Sequence, residues 1–287
     1  MPVPLLYMVQ TNIKSANWHF TSKCNYSCKF CSRQNCTSDL ISLKCVDSIL
    51  THLKNLGIEK LNLVGGEPMM HSLFYDLIRL AYEKDFVVCV TTNGSFLNKN
   101  TIQKMQPYVS WIGISIDSVS DITAAEMGRG NGHHLAHIKE IVRFIHEAGI
   151  KLKINTVVTK QTKDEDMRDV IAELSPSRWK VFQFLTIAGQ NDKVSSEFSI
   201  SSEEFEQYCE RHRLLNLGKG PEKNISPVFE SADCMADSYF MIDAHGLVEI
   251  NTPSKVIRVP IEDVTNDNIN KILNLKNYIE RGAVYEW

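Results

Sequence analysis

Residues 15–31 read SANWHFTSKCNYSCKFC, a short alternation of polar and apolar residues followed by a polar loop that carries Cys24, Cys28 and Cys31. Alternation over SANWHF predicts a strand at 15–20, with the cysteines in the loop that leaves it. Thiolates at that CxxxCxxC spacing suit three corners of an iron–sulfur cube, and three protein ligands leave one iron open. An open iron distinguishes a cluster that acts on a bound ligand from one that only passes electrons. A four-cysteine zinc site would ask for a second CxxC pair, and the chain has none. Of the eight cysteines, the other five (Cys36, Cys45, Cys89, Cys209, Cys234) show no disulfide-framework spacing. Cys36, close to the loop, is the one further ligand to consider.

Outward from this stretch, short β-branched and aromatic runs alternate with segments of helical period as far as residue 187. Strands are expected at 15–20, 60–64, 86–91, 110–116, 152–159 and 178–185, with helices near 39–55, 72–84, 98–106, 133–148 and 164–174. Six successive βα units predict an α/β fold with a parallel sheet. Beyond 187 the pattern changes. A helix at 201–213 precedes a Gly/Pro/Lys loop at 216–230 and strand-like segments at 237–243 and 247–251, the latter two joined as a hairpin through Ala244-His245-Gly246. The expectation is therefore a catalytic domain over 1–187 and an extension over 188–287 that caps it.

A chain of 287 residues can bury one large core. Its formal charge of −3, with both signs scattered, gives no footprint for a nucleic-acid polymer or an anionic membrane. Neither a secretory signal nor a span long enough for a bilayer is visible, which points to a soluble, cytoplasmic protein.

In a parallel α/β barrel, chemistry gathers in the loops after the strands. The cysteine loop follows the first strand and Gly65-Gly66-Glu67-Pro68 the second. Two glycines there would let backbone approach a ligand, and the Glu67 carboxylate would accept from an amine; an ordinary tight turn would look the same. Thr92-Asn93-Gly94 ends the third strand, and Ser115, Asp117 and Ser118 follow the fourth, as ligands for hydroxyls or carboxylates or as turn and cap residues. Gly128-Arg129-Gly130-Asn131-Gly132 sets a cation on a glycine-rich loop, a pattern that plain surface loops share. His133-His134 reads as a helix start.

The fifth strand is more discriminating. Lys153 and Asn155 alternate with Leu152 and Ile154, so period-2 geometry sends the polar pair to one face. Helices cover the outside of a barrel and claim the apolar face. The lysine then points inward, where an ammonium is costly unless it meets an anion. Arg178 and Lys180 repeat the device on the sixth strand, opposite Trp179 and Val181. Three converging cations suit a polyphosphate; neutralisation by Asp or Glu is the competing reading.

CxxxCxxC after a first strand and GGEP after a second resemble the radical S-adenosylmethionine superfamily, whose partial (β/α)6 barrel matches the six units. More narrowly, NWHFTSKCNYSCKFC, GGEP, NGS, ISIDS, GRGNG, KINTVV, EDM, SPSRWKVFQ, SSEEFEQYCERH and ADSYFMID resemble viperin-like nucleotide dehydratases in order and spacing, over roughly residues 15–287. The resemblance implies a [4Fe–4S] cluster on Cys24, Cys28 and Cys31, with S-adenosylmethionine on the open iron. Glu67, Asn93, Ser115 and Arg129 would lie at or near S-adenosylmethionine. Asn17, Lys60, Lys153, Asn155, Arg178 and Lys180 would hold a nucleoside triphosphate, mainly by its phosphates.

The reaction so implied cleaves S-adenosylmethionine with one electron to a 5′-deoxyadenosyl radical, which takes the ribose 4′-hydrogen. The 3′-hydroxyl leaves as water, and a second electron completes a 3′-deoxy-3′,4′-didehydro nucleotide, an antiviral chain terminator. An external one-electron donor is implied and a monomer is expected; no general acid for water loss is identified. Val64 stands before GGEP where vertebrate members usually carry serine, which puts base preference in doubt, with CTP or UTP favoured by analogy. The vertebrate amphipathic leader is not seen, so a microbial or fungal type fits better. Another radical S-adenosylmethionine activity, on peptides or in cofactor assembly, and a non-catalytic iron–sulfur interaction protein are the competing functions.

Overall fold

A computed structural model of the chain describes residues 13–33, 42–213, 226–252, 255–283 and 285. The expected strands are all present: β1 (Ser15–His19), β2 (Lys60–Val64), β3 (Val87–Thr92), β4 (Trp111–Ser115), β5 (Lys151–Val158) and β6 (Arg178–Gln183). They lie side by side in chain order, each parallel to the next. Right-handed crossover through a helix is what parallel neighbours require. The crossovers contain α1 (Leu43–Asn55), α2 (Phe74–Glu83), α3 (Lys99–Met105), α4 (Asp121–Glu126), α5 (His134–Glu147) and α6 (Arg168–Leu174).

Strand alternation divides the sheet into two unlike faces. Leu61, Leu63, Val88, Val90, Ile112, Ile114, Leu152, Ile154, Trp179 and Val181 are fully buried on one of them. They share one core with the apolar stripes of the helices, such as Val46, Ile49, Leu50 and Leu53 of α1 and Ile138, Ile141, Val142 and Ile145 of α5. Intervals of three and four residues place each stripe on one side of its helix. The opposite parity, Asn17, Lys60, Asn62, Thr91, Ser115, Lys153, Asn155 and Lys180, lines a cavity.

Two helices differ from expectation. Residues 121–126 form α4, capped by Ser120, whose side chain accepts from the Thr123 N–H. At 164–167 the helix expected there has not begun, because Glu165 turns back to accept from the Val119 N–H and the Ser118 hydroxyl. Ser118 thus braces this turn, while the cap belongs to Ser120. His133 is the N-cap of α5, the expected helix start.

The C-terminal third extends the sheet at both edges. After α7 (Ser195–Phe198) and α8 (Ser202–His212), β7 (Val228–Glu230) pairs in parallel with β6. The loop expected over 216–230 therefore ends in a strand, and its residues 216–225 lie outside the described residues. After α9 (Ala232–Met235), β8 (Met241–Ile242) pairs in parallel with β1, and β9 (Leu247–Asn251) and β10 (Val256–Pro260) follow antiparallel. The hairpin through 244–246 is present, with Gly246 at φ 79° and the Asp243 N–H on the Leu247 carbonyl at 2.9 Å. The short helices α10 (Ile269–Ile272) and α11 (Leu275–Glu280) close the chain. Among the described residues no helix is long and apolar enough to cross a membrane.

Candidate functional site

The cysteine loop takes its shape from the backbone it lies on. Gly66 and Glu67 donate N–H groups to the carbonyls of Thr21 (2.8 Å) and Lys23 (2.7 Å), and Ser27 and Lys29 donate to Gly128 (3.2 Å) and Met127 (2.9 Å). A Cβ at Gly65, Gly66 or Gly128 would stand 2.5, 2.2 and 2.2 Å from the loop's own carbonyl oxygens at Thr21, Lys23 and Ser27. The glycines of GGEP thus make room for the chain's own cysteine loop, and both also line the cavity. The Tyr26 N–H points at Cys24 Sγ (3.4 Å) and the Arg33 N–H at Cys31 Sγ (3.3 Å). Such donors favour sulfur that carries negative charge.

Burial pushes the Cys28 thiol up to about 12 and raises that of Cys31, so a metal must displace their protons on binding. Among the described residues no three His, Cys, Asp or Glu side chains converge as ligands of a single ion would. A cluster asks for less convergence, because each thiolate takes its own iron. Three thiols on one braced loop, all lining the same cavity and two with N–H groups aimed at sulfur, fit such a cluster. Cys36 lies outside the described residues.

That cavity encloses about 710 Å³, within the range of small-molecule sites. Asn93, Ser115 and Arg129 line it beside the thiols. Arg129 is buried and its guanidinium is paired with the Asp117 carboxylate, which also accepts from the Val157 N–H at 2.9 Å. Glu67 is placed differently from expectation. It is fully buried behind the cavity, and its carboxylate accepts from the Thr92 hydroxyl (2.8 Å), the Asn93 N–H (2.8 Å) and the Met69 N–H (3.2 Å). Burial raises its carboxyl, while those donors oppose the rise.

Further round the wall, Asn62 donates to Asn17 Oδ1 (2.8 Å) and accepts from the Thr91 hydroxyl (3.0 Å), a polar ladder across three strands. Asn155 Oδ1 is buried with no hydrogen-bond partner among the described residues, an acceptor that a ligand would satisfy. Lys153 and Lys180, 8% and 7% exposed, line the cavity as their alternation predicts, and Lys60 of β2, 4% exposed, lines it with them. Burial pushes the Lys180 ammonium down to about 7 and that of Lys60 to about 8, and lowers that of Lys153. Lys153 passes where β4 carries Gly113, since a Cβ there would stand 2.9 Å from Lys153 Cε.

Arg178 is set apart. Its guanidinium donates to the Gly282 carbonyl (2.7 Å) and lies 3.6 Å from the Tyr285 ring centroid, so it holds the C-terminal residues and is not a lining residue of the cavity. Lys60 meets the same Tyr285, at its hydroxyl and over its ring. Neutralisation by an acid, the competing reading of the strand cations, holds for Lys180, which pairs with Glu230 of β7. Sequence reasoning missed Asn62, Thr91, Gly113, Glu230, Tyr239 and Arg281. Asn62 was findable, since it shares parity with Lys60; the last three arrive from distant chain and carry no local signal.

The radical SAM superfamily model matches residues 18–174. An S-adenosylmethionine-dependent nucleotide dehydratase of Thermoplasmatales archaeon (strain ISO4-H5) is 32% identical over 274 residues, covering 96% of each chain. That of Flammeovirga pacifica is 33% identical over 290 residues with the same coverage, and that of Danio rerio 32% identical over 96% of this chain and 79% of its own. Streptococcus suis SuiB bound to S-adenosylmethionine superposes with a TM-score of 0.65 at 17% identity, over 89% of this chain and 65% of that one. Native anSMEcpe with bound AdoMet and Kp18Cys peptide superposes at 0.66 and 14% identity, over 93% of this chain and 82% of that one. At such identities the two structures speak for the fold. The match across the barrel and the full-length likeness to the dehydratases agree with the thiol-lined cavity, and the chain belongs to the radical SAM superfamily and, within it, to the S-adenosylmethionine-dependent nucleotide dehydratases.

Proposed function

We propose that this chain is a radical S-adenosylmethionine lyase that removes water from the ribose of a nucleoside triphosphate to give its 3′-deoxy-3′,4′-didehydro analogue. One observation carries the reading: a single cavity is lined at one place by Cys24, Cys28 and Cys31 and at another by Lys60, Lys153, Lys180 and Arg281. Thiols without the cations would suit any member of the superfamily. Inward cations that converge on one cavity, each largely desolvated, suit a multiply charged ligand.

When bound, the [4Fe–4S] cluster and S-adenosylmethionine supply a reducing electron and the group that abstracts hydrogen. The chain's residues then divide the remaining work. Cys24, Cys28 and Cys31 hold the cluster, with Asn93, Ser115 and Arg129 beside it on the S-adenosylmethionine side. Glu67 supports that side indirectly by fixing the Asn93 backbone. Asn17 and Asn155 offer amides to the ribose or phosphates, and Lys60, Lys153 and Lys180 meet the phosphates. Arg178 serves the same end by anchoring the C-terminal turn. Residues 188–287 act as the cap of the nucleotide site, through Glu230, Tyr239, Arg281 and Tyr285.

A pyrimidine base, as CTP or UTP, is favoured on the resemblance alone. A one-electron donor, a monomeric state and a cytoplasmic location, where triphosphates and reductants are available, complete the proposal. The test is anaerobic reconstitution followed by a screen of CTP, UTP, GTP and ATP for 5′-deoxyadenosine. Release above the substrate-free background is expected with at least one nucleotide, and none with any of the four would reject the proposal.

A further inference from the structure

Glu230, the last residue of β7, is fully buried and does not line the cavity, yet both of its oxygens act on residues that do. One oxygen meets Lys180 Nζ and the other accepts from the Tyr239 hydroxyl, which itself lies 3.4 Å from Lys180 Nζ. The triangle is braced from outside. Arg281 stacks on the Tyr239 ring at 3.6 Å and donates to the Ser238 carbonyl at 3.0 and 3.2 Å.

A buried ion pair is a poor source of stability, because desolvation of both charges offsets their attraction. Its effect on the lysine is clearer. The charged groups around Lys180 are Lys153 on β5, Glu230 on β7 and Arg281 after α11, and the neutral Tyr239 hydroxyl before β8 also faces it. Both cations disfavour another positive charge there, and the Glu230 carboxylate opposes them and the loss of water.

We infer that Glu230 is a positioning residue that keeps Lys180 an ammonium in a desolvated cavity and fixes the Tyr239 hydroxyl beside it, so that an arriving triphosphate meets a charge already in place. The inference rests on the proposed nucleoside triphosphate site. With Lys180 near 7, nucleotide affinity holds at lower pH and falls as pH rises through neutrality. Removing the Glu230 charge lowers the lysine further, so the fall sets in earlier.

The experiment titrates the favoured nucleotide against reconstituted, unreduced holoenzyme with S-adenosylmethionine present, from pH 5.5 to 8.5, for wild type and Glu230→Gln. The expected result is a break in nucleotide affinity about one pH unit lower in the variant, with S-adenosylmethionine affinity unchanged. Both proteins see the same triphosphate, so its own titration cancels. In a Lys180→Met background, Glu230→Gln should no longer move the break, and an unaltered iron content and melting temperature separate this effect from misfolding. Should Glu230→Gln fail to assemble, Glu230→Asp replaces it and should keep the wild-type break. Identical breaks in wild type and Glu230→Gln, or a shift that persists without Lys180, would overturn the inference while leaving the nucleotide site intact. If wild type binds none of the four nucleotides, the site assignment itself fails and takes the inference with it.

Discussion

A single glycine decides how Lys153 reaches the cavity. Gly113 leaves the space through which the lysine stem passes, and a Cβ there would stand 2.9 Å from Lys153 Cε and 3.0 Å from Thr91 Oγ1. The stem is flexible and can move aside at little cost, but its ammonium moves with it. Gly113→Ala should therefore leave the melting temperature within a few degrees of wild type while raising the KM for nucleotide several-fold, a split that thermal unfolding and steady-state kinetics would reveal. Lys180→Ala removes a charge-assisted contact worth about 1.5–3 kcal/mol, roughly a ten- to hundredfold loss. Its KM for nucleotide should rise far more than that for S-adenosylmethionine, and equal rises would count against the phosphate assignment.

At the scale of elements, the cysteine loop is a passenger on its neighbours. It has no regular structure of its own, and its path is set by hydrogen bonds to residues 66–67 after β2 and 127–128 after α4. Gly66→Ala would press a methyl group to 2.2 Å from the Lys23 carbonyl, backbone against backbone, where neither side can yield cheaply. The expected outcome is a chain that folds, because the loop lies at the edge of the main core, but holds markedly less iron after reconstitution. Iron and sulfide assays beside circular dichroism would check it. Both glycines were legible as special positions, and they line the cavity, but only the folded chain shows that the cysteine loop's carbonyls also press against them.

Across the whole molecule, the end of the cysteine loop meets the late strands of the sheet. Arg33, two residues past Cys31, pairs with Glu249 of β9, which is 1% exposed and also accepts from Arg258 of β10 at 2.8 and 3.0 Å. Glu249→Gln would leave two guanidinium groups sharing a neutral amide, with Arg33 buried among them. Breaking such a pair costs about 3 kcal/mol or more, and the melting temperature and iron retention should fall together. Arg258 is half in solvent, so Arg258→Gln should cost much less. A comparable loss from both variants would show that burial is not what gives this carboxylate its importance.

Local periodicity and loop spacing carried the first six strands, their helices and the thiols, because a strand's two faces and a helix's stripe are properties of neighbouring residues. The inward direction of Lys153 and Lys180 followed from the same alternation. Tertiary structure alone decided what those lysines meet. Glu230, Tyr239 and Arg281 stand far along the chain, β7 and β8 join opposite edges of one sheet, and Glu67 turned from the cavity to hold the backbone of Asn93. Contacts of that range depend on how the sheet curls and which edges remain open, and no local pattern of side chains encodes either.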